Sequence, residues 1–349
     1  MQIHIHKAGQ SAVQNFNFDQ FEFGRVPTDH MLLAQYSDGA WQDAIIEPSR
    51  DLQMSPLAMC LHYGQTVFEG MKAYKTSDGN ICIFRMEKHF QRMNKSLLRM
   101  AMPEVPRDLF MDGIKAVVDV DRVWVSDREG YSLYLRPFVI ATEPKLGVAS
   151  SREFVFMVVC SPMGPYYPRP LNVKVERSYI RAAQGGVGFA KNGGNYGAAL
   201  YPTIQAQQQG FDQVLWTDAV THEYLEESGT MNLMFVLDNI LITPPLHGTI
   251  LDGVTRDSLL TLARDMNVEV QERPISVQEI ADALQAGRHV EAFGAGTAAM
   301  IAPFASITCD DQRYSTYTGP DALMFRLKAQ LQGIRTGTVP DIHGWNTIL

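Results

Sequence analysis

Lys191 is the only lysine between Lys174 and Lys328, and it lies in Gly185–Gly197 (GGVGFAKNGGNYG), a run with six glycines. Glycines let backbone come close to another body, at a cost in chain entropy. A lysine amine desolvated in such a place is a nucleophile toward aldehydes and can form a Schiff base. Carboxylates come next: in Leu225–Asn232 (LEESGTMN), Glu226 and Glu227 precede an apolar run. The plain reading is a solvated turn, and Glu226 fits it. An acid at the mouth of a buried strand can instead face a basic heteroatom and hold it protonated, because an opposite charge stabilises the charged form. Finally, Leu251–Arg256 (LDGVTR) runs into a helix expected near Asp257. The free N–H groups and partial positive charge of a helix start suit a phosphate. Gly296-Thr297-Ala298 offers more backbone donors, and Arg92 offers a charge.

Two nucleotide-binding readings fail. Gly294-Ala295-Gly296-Thr297-Ala298-Ala299 fits a dinucleotide fingerprint after a predicted strand, but too little chain follows for a doubly wound domain. The Lys191 run is not a Walker loop, since Asn192 stands where Ser or Thr is required.

These residues need elements to hold them. Tyr131–Thr142 and Phe154–Cys160 read as strands from their β-branched and aromatic content. Phe90, Met93, Leu97 and Met100 recur at helical spacing, which predicts a helix over Lys88–Met100 ending before Pro103; Lys88, Arg92, Lys95 and Arg99 fall on its other face. Ser161–Pro170 holds four prolines and a glycine, the composition of a stiff linker. The second half alternates strand and helix. Strands are expected at Gln213–Thr217, Thr230–Leu237, Ile240–Thr243 and Val290–Phe293, with Asp238-Asn239 as a tight turn. Helices are expected at Asp257–Met266, Ser276–Ala286 (capping box Ser276 to Glu279, stop at Gly287) and Asp321–Gly333. The domain reading is therefore an α/β unit over residues 1–162, a linker over 163–173 and a larger unit over 174–349 carrying the lysine.

A chain of 349 residues, 46% hydrophobic, supports two such cores. A formal net charge of −8 argues against a nucleic-acid partner. No apolar run approaches the ~18 residues of a membrane span, and the N-terminal stretch reads as neither signal nor transit peptide. Cys60, Cys82, Cys160 and Cys309 are too far apart for metal or redox spacing, so they read as reduced thiols of a cytoplasmic protein with no metal site.

The motifs together resemble the branched-chain amino acid aminotransferases, pyridoxal phosphate enzymes of fold type IV. Carrying the resemblance are Leu61-His62-Tyr63, Val67–Tyr74 (VFEGMKAY), Tyr134-Leu135-Arg136-Pro137, Thr142-Glu143-Pro144, Gly185–Gly188, Lys191–Gly197, Glu227–Asn232, Leu251–Arg256 and Phe293–Ala298. Their common order spans nearly the whole chain. The resemblance implies a two-domain fold of mixed α+β and α/β character, with the cofactor in the cleft between domains.

By that similarity, Lys191 bonds covalently to the cofactor and shuttles protons. Tyr196 meets the ring's phenolic oxygen, and Glu227 pairs with the pyridine nitrogen. Arg92, Val254, Thr255 and Thr297 hold the phosphate, and Thr230, Thr297 and Ala298 lie beside cofactor and substrate carboxylate. Phe68, Tyr63 and Tyr134 line an apolar substrate pocket. Arg136, two along from Tyr134 and so on the same strand face, takes the side-chain carboxylate of glutamate. Leu146 and Val148 match a loop that reaches the site from a neighbouring subunit, which implies a homodimer. The implied reaction is ping-pong exchange between Leu, Ile or Val and 2-oxoglutarate. Some animal relatives carry a Cys-x-x-Cys pair after the Gly-Thr turn; Ala299-Met300-Ile301-Ala302 stands here, so no such switch is expected. D-amino acid aminotransferases and aminodeoxychorismate lyases share the fold but lack the Tyr-Leu-Arg-Pro context. A catalytically silent cofactor-binding protein would not need the Lys191, Tyr196 and Glu227 set.

Overall fold

The computed structural model describes residues 1–349 and divides into two compact units. The first comprises Met1–Pro165, Ala190–Gly194 and Gly333–Leu349; the second comprises Tyr166–Phe189 and Asn195–Gln332.

The first unit is built on a ten-stranded sheet. Its centre is the antiparallel pair Ser132–Ala141 and Phe154–Met163, paired over their full length from Ser132 with Met163 to Ala141 with Phe154. His30–Ser37 adds on one side and Met71–Lys75 on the other. Ile81–Phe84 follows, and Asn346–Ile348 returns to close that edge. Residues of alternate strand positions, among them Leu32, Ala34, Phe154, Phe156 and Val158, are buried with the helices Met86–Arg99 and Arg107–Val120. Each helix buries one stripe. In the first it is His89, Arg92, Met93, Ser96 and Leu97; in the second Phe110, Ile114, Val117 and Val118. Burial at three- and four-residue steps is what an amphipathic helix needs to dock on a sheet. Arg92 therefore belongs to the buried stripe, while Lys95 and Arg99 stay exposed.

The second unit has a nine-stranded mixed sheet. Leu171–Glu176 runs parallel to both Gln213–Thr217 and Met300–Cys309. Met231–Leu237 and Val290–Gly296 form a long antiparallel pair. Asp238 and Asn239 both adopt positive φ, 49° and 66°, as a two-residue hairpin turn requires. Helix Val277–Gln285 starts as its capping box predicts, with Ser276 Oγ accepting from the Glu279 amide at 3.0 Å.

Three sequence expectations differ from this arrangement. The strand expected to stop at Cys160 runs on to Met163, and a new strand begins at Leu171, so only 164–170 lacks regular structure within the expected linker. The lysine segment lies in the first unit: Phe68 N–H donates to the Lys191 carbonyl at 3.0 Å, and Val67 bridges Asn192. Gly333–Leu349 also joins the first unit, held by strand pairing to Ile81–Phe84. Backbone hydrogen bonds between residues far apart in sequence decide both placements, and composition carries no trace of them. No helix is long and apolar enough to cross a membrane.

Candidate active site

In the first unit, Lys191 is fixed through its backbone. Its N–H donates to Ser96 Oγ at 2.9 Å, and its carbonyl accepts from Phe68. Ser96 Oγ in turn donates to the Arg92 carbonyl at 2.9 Å, so one serine ties the lysine segment to the arginine helix. Gly193 explains part of the glycine richness: a Cβ there would stand 2.5 Å from Thr66 Oγ1, which accepts the Gly193 N–H. The Lys191 ammonium lies over the Phe68 ring, 4.8 Å from its centroid.

Phe68 is also the neighbour of Arg136, whose guanidinium carbon is 4.8 Å from the same centroid. Arg136 Nη2 donates to the Tyr134 hydroxyl at 2.9 Å, and its Nε is buried with no hydrogen-bond partner. Tyr134 leans over Gly70, where a Cβ would lie 2.0 Å from the hydroxyl oxygen; any larger residue would displace the ring. Its cross-strand partner is Lys72, which lies inside the Val67–Tyr74 string but was given no role from the sequence. Lys72 is buried, and that burial, with Arg335 nearby, pulls its ammonium down to about 7. Tyr63 is partly exposed and its hydroxyl bonds the Leu146 carbonyl, while Leu146 and Val148 are 56% and 85% exposed.

Arg92 is held by a residue that sequence reasoning missed. Glu69 is fully buried; its Oε1 accepts from Arg92 Nε and its Oε2 from Arg92 Nη2, both at 2.7 Å. His89 Nδ1 lies 2.7 Å from the same Oε2. Burial alone would raise the Glu69 carboxyl, but Arg92 and then His89 hold it far below the usual carboxylate range. Burial lowers His89 against the pull of Glu69, and because an ionised carboxylate can only accept, Nδ1 is the donor in this contact. The only signal in the sequence was Glu69 inside the Val67–Tyr74 string.

In the second unit, Glu227 is buried near the end of strand Leu225–Ser228. Its Oε1 accepts from the Leu251 N–H at 2.7 Å, and its Oε2 lies 3.1 Å from Arg181 Nε. That second contact is ionic rather than a well-aligned hydrogen bond, since Arg181 Nε has no aligned acceptor. Arg181 is positioned by the carbonyls of Gly188 and Thr249. It too was missed, because 46 residues separate it from Glu227. Glu226, on the opposite strand face, is buried rather than solvated: its Oε1 accepts from Thr249 Oγ1 at 2.6 Å and its Oε2 has no partner.

The helix expected from Asp257 begins at Val254, with Gly253 as its cap, which has no side chain to satisfy the first N–H groups. Its first backbone bond runs from Asp257 N to Gly253 O, so the Val254 and Thr255 amides precede the helical ladder. Thr297 and Ala298 lie in the hairpin turn between Val290–Gly296 and Met300–Cys309. Thr230 is exposed in the turn after Glu227's strand, and Tyr196 is half-buried in the first turn of helix Gly193–Gln208. One cavity of about 420 Å³ in the first unit, between Leu33, Arg50, Ile140 and Phe154, and one of about 260 Å³ in the second, between Asp218, Tyr224, Pro244 and His247, lie away from these predicted residues. No group of three or more His, Cys, Asp or Glu is placed to hold a metal ion.

In the first unit a fixed lysine and a carboxylate-locked arginine suit an aldehyde and an anion; in the second, a helix start and a buried, ion-paired acid suit an anion and a basic nitrogen. Residues 66–307 match the family described as amino-transferase class IV. The chain is 42% identical over 344 residues to the probable branched-chain-amino-acid aminotransferase of Staphylococcus aureus (strain N315), covering 96% of this chain and 95% of that one. It is 44% identical over 333 residues to the branched-chain-amino-acid aminotransferase of Mycolicibacterium smegmatis, covering 93% and 90%. Among solved structures it is similar to the Escherichia coli branched-chain amino acid aminotransferase, with a TM-score of 0.75, 26% identity and coverage of 91% and 98%. It is also similar to the T.th. branched-chain amino acid aminotransferase with pyridoxamine 5'-phosphate, with a TM-score of 0.71, 29% identity and coverage of 90% and 97%. This chain belongs to the branched-chain amino acid aminotransferases of the class IV aminotransferase family.

Proposed function

We propose that Lys191, Glu227 and Arg92 are the working residues of the reaction this family performs, the reversible exchange of an amino group between branched-chain L-amino acids and 2-oxoglutarate. The observation that carries this reading is the pinning of Lys191, with both sides of its backbone bonded and its ammonium over Phe68. Bound pyridoxal phosphate supplies an aldehyde for covalent attachment and a protonated ring that accepts the electron pair left when Cα loses its proton.

Lys191 Nζ would anchor that aldehyde. Once freed by the incoming amino group, it would take the proton from substrate Cα. A backbone clamp suits the task, because the side chain can swing while its root stays fixed. Glu227 would hold the ring nitrogen protonated, with Arg181 and the Leu251 amide orienting that acid. Tyr196 would donate to the phenolic oxygen. Arg92, the Val254 and Thr255 amides and Thr297 would hold the phosphate, and Thr230 and Ala298 would lie beside the substrate carboxylate. Phe68, Tyr63 and Tyr134 would give the apolar walls. Arg136, with an unsatisfied Nε, would receive the second carboxylate of glutamate.

The assembly reading is a homodimer. Leu57, Leu61, Tyr63, Leu146 and Val148 are exposed on segments tied together by the Ala58–Pro144 bridge and the bond from Lys145 N to Leu57 O. An exposed apolar cluster of this kind fits a subunit contact, and sedimentation of wild type against Val148→Asp tests it. The test of function is spectroscopic and chemical. The purified protein should show the visible band of a lysine-bound cofactor, lose it in Lys191→Ala, and release glutamate from 2-oxoglutarate with leucine, isoleucine or valine as donor. A wild-type protein that stays colourless with added pyridoxal phosphate, or that turns over only D-alanine, would refute the reading.

A further inference from the structure

We propose that Glu69 and His89 are positioning residues for the cofactor phosphate, acting through Arg92. The inference rests on the reading of Arg92 as a phosphate ligand. An arginine side chain is long and flexible, and by itself would meet a phosphate in many orientations at an entropic cost. Here two parallel 2.7 Å bonds from Nε and Nη2 to the Glu69 carboxylate fix the guanidinium plane. Glu69 is fixed in its turn. Its N–H donates to the Pro137 carbonyl at 2.7 Å, and its Oε2 accepts from Gly70 N at 3.1 Å and His89 Nδ1 at 2.7 Å. His89 and Arg92 lie three residues apart on one helix face, so the same helix carries the arginine and steers its clamp. Ser96, one turn on, bonds the Arg92 carbonyl and the Lys191 amide. The orientation of the phosphate ligand and the position of the covalent lysine are thereby set by one buried network.

A buried ion pair also holds a fold together, so the test must read the phosphate itself. Competitive equilibrium dialysis of the holoenzyme against pyridoxal phosphate and pyridoxal gives the preference for the phosphorylated form. Phosphorus NMR of the bound cofactor gives the environment of the phosphate. Glu69→Gln keeps the shape but sets an NH₂ group against donor nitrogens. It is expected to lower the preference by roughly tenfold or more, the size of a lost charge-assisted hydrogen bond, and to shift the phosphorus resonance. His89→Ala should act in the same direction. His89→Asn, which returns an N–H near Nδ1, should restore the preference, and this His89 pair decides the matter if Glu69→Gln does not fold. Arg92→Gln is the control. If it lowers the preference while the Glu69 and His89 variants keep the wild-type value and resonance, the positioning role is overturned. If Arg92→Gln itself leaves the preference intact, Arg92 is not a phosphate ligand and both readings fall.

Discussion

Gly70→Ala offers a sharp test of how the substrate wall is built. A Cβ at position 70 would lie 2.0 Å from the Tyr134 hydroxyl oxygen and 2.8 Å from Cζ, where ordinary contact begins at 3.4 Å. The hydroxyl must therefore retreat by about 1.4 Å (3.4 − 2.0). It cannot do so freely, because Phe23 packs edge-on against the ring at 5.0 Å and Arg136 lies 5.2 Å from its centroid. Overpacking of this kind costs about 1–3 kcal/mol of stability. The retreat also breaks the 2.9 Å bond from Arg136 Nη2, a charge-assisted bond worth about 1.5–3 kcal/mol. If Arg136 reads the second carboxylate of glutamate, that loss should fall on the acidic substrate, lowering kcat/KM for 2-oxoglutarate roughly tenfold to a hundredfold at about 1.4 kcal/mol per decade. Leucine, which needs only the apolar wall, should lose less. The two half-reactions can be followed separately by stopped-flow absorbance, and stability by urea denaturation. Adding Tyr134→Phe removes the nearest clashing atom and should recover part of the stability without restoring 2-oxoglutarate turnover. A Gly70→Ala enzyme with unchanged urea midpoint, or one that loses leucine and 2-oxoglutarate rates equally, would refute the reasoning.

Three further outcomes follow from other parts of the structure. Burial raises the Glu226 carboxyl against the pull of Thr249 and Arg181, so its charged form is disfavoured in the folded state. Wild type should lose stability as pH rises from about 4.3, the ordinary glutamate value, through the raised one; Glu226→Gln should be the more stable protein at pH 7–8, the gap closing in acid, as read by urea melts across pH. Arg181→Gln strips Glu227 of its ionic partner, and breaking a buried pair costs about 3–5 kcal/mol; the urea midpoint should fall, with Arg181→Lys recovering part. Burial pushes Cys82 up to about 12 and Cys309 up to about 11, and raises Cys160 and Cys60 as well. Ellman's reagent should then find at most one fast thiol in the native protein, half-buried Cys60, and mild peroxide should leave activity intact.

What could be read from the sequence was whatever local chemistry decides. The Ser276 cap, the Asp238-Asn239 turn and the apolar period of the helix carrying Arg92 depend on neighbours within a few residues, and each appears within a residue or two of where it was expected. What could not be read was pairing across distance. Arg92 is buried against Glu69, 23 residues away, and the periodicity that groups Arg92 with Lys95 and Arg99 carries no sign of that partner. Glu226 looked like a solvated turn because burial of its carboxylate depends on Thr249, 23 residues on. The linker was overdrawn for a different reason. Proline content argues against strand structure, yet Pro162 sits opposite Leu133 near the end of a long antiparallel pair.

The return of Asn346–Ile348 to the sheet edge at Ile81–Phe84 has a consequence for biogenesis. Cys82 Sγ donates to the carbonyl of Arg335, 253 residues later in the chain, and strand pairing next to it spans a similar gap. On the ribosome, Ile81–Phe84 emerges long before the segment that covers it, leaving an all-apolar strand edge open for most of synthesis. Such an edge is a template for pairing with other nascent chains. The nascent protein is therefore expected to lean on chaperones over that interval, and a ribosome-bound chain stopped short of residue 346 should aggregate where one that carries Asn346–Ile348 does not.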